Sequence, residues 1–212
     1  MSFLEVSNIS RYYGDRTALR EVSFNLELGQ VLQIRGNNGA GKSTLLKVLS
    51  GLECPDLGEV KIEGLSLSDS TSYQKIKSKY GIGYYNSYSQ FYSHLTLNEN
   101  LKLSARLNEV DFSEVLSLCR RFSIDTFLNY LPAECSSGTL KKAAILRATL
   151  YHPKLLLLDE PFVHLDQVSI KLLRAYLLEL IASGVSLILV SHQEVTFNST
   201  SLVLERGAIS GV

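Results

Sequence analysis

Gly36-Asn37-Asn38-Gly39-Ala40-Gly41-Lys42-Ser43-Thr44 is the stretch whose reading decides the fold. It follows the G-x-x-x-x-G-K-[ST] pattern of a phosphate-binding loop. A β-leaning apolar run, Val31-Leu32-Gln33-Ile34, precedes it, and a helix-patterned run, Ser43 to Leu49, follows. Gly36, Gly39 and Gly41 let the backbone curl so that several N–H groups point at one anion. The helix that starts here adds its positive dipole end. Lys42 is placed to reach outer phosphates, and the Ser43 hydroxyl to bind Mg²⁺. The plainer reading is a glycine-rich turn before an ordinary helix, and residues far downstream argue against it.

Asp159 and Glu160 directly follow Leu155-Leu156-Leu157-Leu158. Neighbours at a strand end point in different directions, so they suit different tasks. Asp159 fits as the second acidic element of a phosphate-loop NTPase, holding Mg²⁺ through a water. Glu160 can then polarise the water that attacks the γ-phosphate. His192 leaves a later apolar run, Val185 to Val190, in the same way. It is placed to contact the γ-phosphate and orient that water. Alone, the acidic pair would be an ordinary turn and the histidine a cap; the loop upstream shifts both readings.

Composition agrees with a globular chain. The 212 residues are 45% hydrophobic and 20% charged, with a formal net charge of zero. Zero net charge gives no electrostatic reason to expect nucleic acid or an anionic membrane as the main partner. Cys54, Cys119 and Cys135 lack the spacing of a disulfide framework or a zinc site, so a reducing compartment is expected. The N-terminus shows no basic region followed by an apolar core, and no run reaches the roughly 18 apolar residues of a membrane span. We therefore expect a cytoplasmic protein that meets a membrane through a partner.

Residues 3–35 read as strands: Val22, Phe24, Leu26 and Leu28 alternate with polar residues. Arg11-Tyr12-Tyr13-Gly14-Asp15 is a turn carrying two aromatics, and Tyr13 could stack on a purine. Base–aromatic stacking is worth ~1–3 kcal/mol. The first helix should stop at Gly51, Pro55-Asp56-Leu57-Gly58 should turn, and residues 59–63 should form a strand. Residues 64–79 read as loop and a short surface helix, residues 80–85 as a strand, and Asn86–His94 as a loop. Thr96-Leu97-Asn98-Glu99 is a capping box opening a helix to about Leu107, and Asp111 to Glu114 repeats the spacing. Cys135 to Thr139 leads into a helix over 139–151. The apolar runs at 154–158 and 185–190 suit buried parallel strands separated by an amphipathic helix over 168–183. The expected fold is α/β: a P-loop NTPase core with a parallel sheet, an N-terminal antiparallel β lobe, and an inserted helical lobe. Residues 1–95 and 153–212 make the core with its β lobe, and 96–152 the helical lobe.

Phosphate loop, Asp-Glu after a leucine strand, and His after a later strand resemble, in order and spacing, the ATPase domain of ABC transporters. The resemblance covers nearly the whole chain. It implies that Tyr13 is the aromatic that stacks on adenine. It puts Ser136, Ser137 and Gly138 in the signature motif, whose helix contacts the γ-phosphate of ATP bound to the other subunit. Leu165-Asp166 falls in the loop that couples the two sites. Leu95-Thr96 and Glu99-Asn100-Leu101 match the start of the helical lobe. Two departures stand out. The signature Leu-Ser-Gly-Gly-Gln is here Cys135-Ser136-Ser137-Gly138-Thr139. The glutamine that senses γ-phosphate and Mg²⁺ falls, by register, at Ser87, with Gln90 three residues later as the other candidate.

The resemblance implies a homodimer or heterodimer of ATPase subunits, two ATP molecules at its interface, and Mg²⁺. It implies an integral-membrane permease resting near residues 86–95, at the inner face of the cell membrane. Hydrolysis through Glu160, His192 and Lys42 would then reopen the dimer. A catalytically weak nucleotide-binding partner is the alternative reading. Ser191-His192-Gln193 and the short chain are also similar to the ATPase subunit of the cytochrome c maturation haem exporter.

Overall fold

Leu155, Leu156, Leu157 and Leu158 send alternate side chains into two separate cores. Leu155 and Leu157 face one and Leu156 and Leu158 the other, as a strand covered on both faces requires. The computed structural model, which describes residues 2–87, 91–191 and 197–210, puts this strand inside a parallel sheet.

The strands are β1 (Leu4–Tyr13), β2 (Arg16–Leu26), β3 (Val31–Arg35), β4 (Leu57–Ile62), β5 (Leu65–Ser66), β6 (Ile82–Tyr85), β7 (Leu155–Asp159), β8 (Ser186–Val190), β9 (Thr200–Glu205) and β10 (Ala208–Ile209). The helices are α1 (Lys42–Leu49), α2 (Ser70–Lys79), α3 (Leu97–Leu107), α4 (Phe112–Arg121), α5 (Ser137–Thr149) and α6 (Gln167–Ala182). The main sheet runs β10-β9-β3-β8-β7-β6, and β6, β7, β8, β3 and β9 are parallel. A second, antiparallel sheet runs β2-β1-β4-β5.

The order places β8 between β3 and β7. Their carboxyl ends therefore lie along one edge, where ligands of open α/β sheets bind. The phosphate loop leaves β3, Asp159-Glu160 leaves β7, and Ser191 leaves β8. One core joins α1 and the antiparallel sheet to the first face of the main sheet. The other packs α3, α4, α5 and α6 on the second face.

Local chemistry sets the boundaries. Thr96 and Glu99 form the expected capping box, with the Glu99 carboxylate accepting the Thr96 N–H at 2.7 Å. Helix α5 begins at Ser137, two residues earlier than its sequence suggests, because Ser136 caps it: the Ser136 Oγ accepts the Thr139 N–H at 3.1 Å. It also ends earlier, at Thr149. Strand β2 stops at Leu26 and Leu28 is exposed, since Gln30 N–H donates to the Glu27 carbonyl and turns the chain. Leu57 and Gly58, expected in a turn, belong to β4, where Leu57 pairs with Ser10.

Leu157 is fully buried in the middle of the sheet. Leu157→Ala should lower unfolding free energy by about 2–5 kcal/mol, read by urea denaturation, whereas truncating exposed Leu107 should change it by less than about 0.5 kcal/mol.

Candidate functional site

The phosphate loop holds its shape through its glycines and its own lysine. Gly36, Gly39 and Gly41 have φ of 150°, 81° and 104°, the left-handed side that side chains rarely tolerate. Lys42 turns back over the loop, its Nζ donating to the carbonyls of Gly36 at 2.7 Å and Asn37 at 3.0 Å. Only 8% of Lys42 is exposed. Burial pulls its ammonium below the usual lysine range, against the opposing charges of Glu160 and Asp159.

An open cavity of about 250 Å³ lies above this loop. Tyr13, Asn38, Gly39, Gly41, Lys42, Ser43, Thr44, Asp159 and Glu160 all line it, together with Arg16 and Ala18. So the fold brings together most of the residues singled out from sequence. Asn37 and Ala40 line a neighbouring groove with Glu205 and Arg206. Gly36 contributes the carbonyl that Lys42 grips. Ser43 Oγ donates to Asp159 Oδ2 at 2.6 Å, across 116 positions of chain.

These two oxygens are hard donors side by side in a half-buried site. Mg²⁺ takes one or two protein oxygens and completes its shell with phosphates and water, so the pair fits that ion. Glu160 lies next to them with φ +50°, its N–H donating to the Val190 carbonyl at 3.0 Å. That bond fixes the start of the turn after β7 against the end of β8.

Tyr13 ends β1 with 41% of its surface exposed. Its hydroxyl donates to the Glu53 carboxylate, and the Arg11 guanidinium lies 5.1 Å from the ring centroid. Glu53 also accepts from Lys47 at 3.1 Å and Arg11 at 3.3 Å. Partial burial works to raise the Glu53 carboxyl, but the hydrogen bonds from Tyr13 and Lys47 and the charge of Lys47 outweigh it and hold it low. Arg16, facing Tyr13 across the β1–β2 hairpin, was not apparent as a cradle residue from sequence. The signal was the two-residue turn Gly14-Asp15, which fixes that pairing.

Ser136, Ser137 and Gly138 do not line the cradle of their own chain. They start α5, and Ser137 lines a second groove with Tyr85, Ser87, Lys141, Val163 and His164. Ser87 is therefore grouped with the α5 N-terminus and not with Ser43 and Asp159. Gln90 and His192 lie outside the described residues.

Fold and cradle together define a phosphate-loop nucleotide-binding protein with an acidic pair at the adjacent strand end. The family model described as ABC transporter matches residues 19–163. The chain is 36% identical over 204 residues to the cytochrome c biogenesis ATP-binding export protein CcmA of Legionella pneumophila (strain Paris), covering 92% of this chain and 95% of that protein. It is 30% identical to the glutamate/aspartate import ATP-binding protein GltL of Escherichia coli (strain K12), covering 90% of this chain and 80% of that one. A solved ATP-binding subunit of an ABC transporter superposes with a TM-score of 0.88 at 30% identity, covering 99% of this chain and 89% of that chain. The chain belongs to the ABC transporter family, as an ATP-binding subunit with ATPase activity.

Glu53 gives this site a testable pH dependence. A carboxyl held low stabilises the fold above its unfolded value of about 4.3, and that contribution is lost as pH falls through the lower folded value. The stability difference between the native chain and Glu53→Gln should be constant above about pH 5 and shrink at lower pH, measured by urea denaturation at stepped pH.

Proposed function

We propose that this chain works as one half of a two-subunit ATP engine beneath a membrane permease, with its own cradle holding ATP·Mg²⁺. The observation that carries this reading is the 2.6 Å bond between Ser43 and Asp159, with Glu160 lining the same cavity. Loop N–H groups and Lys42 would hold the β- and γ-phosphates, Ser43 and Asp159 the metal ion, and Tyr13 the base. The ion would neutralise charge developing between the β- and γ-phosphates. The Glu160 carboxylate would accept a proton from the attacking water as its oxygen bonds to the γ-phosphorus and the bond to ADP breaks. His192 is proposed to orient that water.

A partner subunit enters this reading through the signature residues. Ser136, Ser137 and Gly138 sit away from their own cradle, which leaves their helix end for the nucleotide of a facing subunit. Residues 96–152 would act as the inserted lobe that carries this end. No helix among the described residues is long and apolar enough to cross a membrane, so attachment to the inner face would run through the permease.

A weakly hydrolysing partner subunit is a second reading with its own support. Ser137 and Thr139 replace a glycine and a glutamine of the signature, and Ser136 Oγ already pairs with Thr139 Oγ1 at 2.9 Å. ATPase measured on the purified chain alone separates the two: turnover supports the first, and turnover only after adding a second intact cassette supports the other.

Lys42→Ala should abolish most ATP binding, measured by calorimetry. Glu160→Gln should keep ATP binding while turnover falls about 10²–10⁴-fold, the range for loss of a general base. Unchanged turnover would remove Glu160 from that role.

A further inference from the structure

We propose that Lys141 is a positioning residue which holds the turn carrying Glu160, so that the start of α5 and that turn move as one body. Lys141 lies on the second turn of α5, shortly after the cap Ser136. Its Nζ donates to the Glu160 carbonyl at 3.1 Å and to the Val163 carbonyl at 2.5 Å. Both acceptors belong to the loop between β7 and α6. One ammonium therefore bridges two backbone carbonyls of a single short turn.

The turn needs such a bridge. Glu160 has φ +50° and His164 φ +61°, left-handed conformations that persist in a non-glycine residue only where the surroundings impose them. The Val190 carbonyl fixes the amide side of Glu160, and Lys141 fixes its carbonyl side. Between them they leave the peptide planes on both sides of the Glu160 Cα little freedom to rotate, which sets the direction of its Cα–Cβ bond. The bridge is partly shielded from solvent. Burial draws the Lys141 ammonium below its usual range, and the carboxylates of Glu160 and Asp159 oppose that fall. Hydrogen bonds from a charged donor are among the stronger ones.

Lys141 also lines the groove that contains Ser137 and His164. The Gly138 Cα faces the His164 carbonyl, which would lie 3.7 Å from an added Cβ. Displacement of the α5 N-terminus is thus transmitted to the Glu160 turn through a two-bond link. Nothing in a lysine two positions past a signature-like segment announces this from sequence; the link joins residues 19 and 22 positions apart.

The inference rests on the proposed role of Glu160, and the experiment keeps the two apart. Lys141→Met removes the donors, and Lys141→Gln keeps an N–H donor without charge. Hydrogen exchange of the peptide 160–166 reads the turn without any turnover. We expect exchange there to rise about tenfold or more in Lys141→Met, with β7 and α6 unchanged, and to return to within threefold of native in Lys141→Gln. Where the native chain hydrolyses ATP, kcat of Lys141→Met should fall about tenfold or more, with KM and ATP affinity within about twofold. Native exchange in Lys141→Met, exchange raised equally across β7 and α6, or a Lys141→Gln as impaired as Lys141→Met would each overturn the proposal. If Glu160→Gln keeps native turnover while the exchange pattern appears, the role of Glu160 fails and the positioning by Lys141 stands.

Discussion

There is no room for a side chain at Gly41. A Cβ there would lie 2.3 Å from the Ala18 carbonyl, and one on Gly36 would lie 2.1 Å from the Leu204 carbonyl. The phosphate loop is thus clamped between β2 of the antiparallel sheet and β9 of the main sheet. Gly207, beyond β9, closes the clamp: its N–H donates to the Ala40 carbonyl at 3.0 Å, and its carbonyl accepts from Arg20 N–H at 2.8 Å. The loop is a wall shared by both sheets, already curled, with Lys42 bonded to the carbonyls of Gly36 and Asn37.

Charge around that wall is arranged by elements that arrive from far apart in sequence. Asp159 and Glu160 come off the end of β7, Arg16 from the start of β2, and Lys42 from the start of α1. Burial alone would make Lys42 and Asp159 costly. They are tolerated because opposite charges sit within reach, which is the arrangement that a polyphosphate with its metal ion can enter without leaving a cation or carboxylate stranded. The same logic explains the base end of the cavity. Glu53 gathers Tyr13, Arg11 and Lys47 around one carboxylate, so the aromatic is held by α1 and the residues after it, not by its own turn.

Most of the fold was legible because strong local signals agreed with the tertiary arrangement. The glycine spacing at 36–41, the leucine run at 155–158 and the capping box at Thr96–Glu99 each have one physical solution. The misses have physical causes too. The start of α5 was misplaced because Ser136, read from sequence as a signature residue, also serves as a cap. Arg16 was missed because its position depends on hairpin pairing, and Lys141 because its partners are backbone carbonyls, which carry no residue-type signal. Ser87, matched by spacing to a metal-sensing position, lines a groove with Ser137 and His164.

On the proposed reading a prebuilt loop grips the phosphate tail, with the base adding a smaller share. Calorimetric titration of the purified chain with ATP and with AMP, each in the presence of Mg²⁺, tests it most directly. AMP should bind at least about 100-fold more weakly than ATP, since only the outer phosphates would reach Lys42, Ser43 and Asp159, and 100-fold is near 2.7 kcal/mol. Equal affinity for the two nucleotides would contradict it.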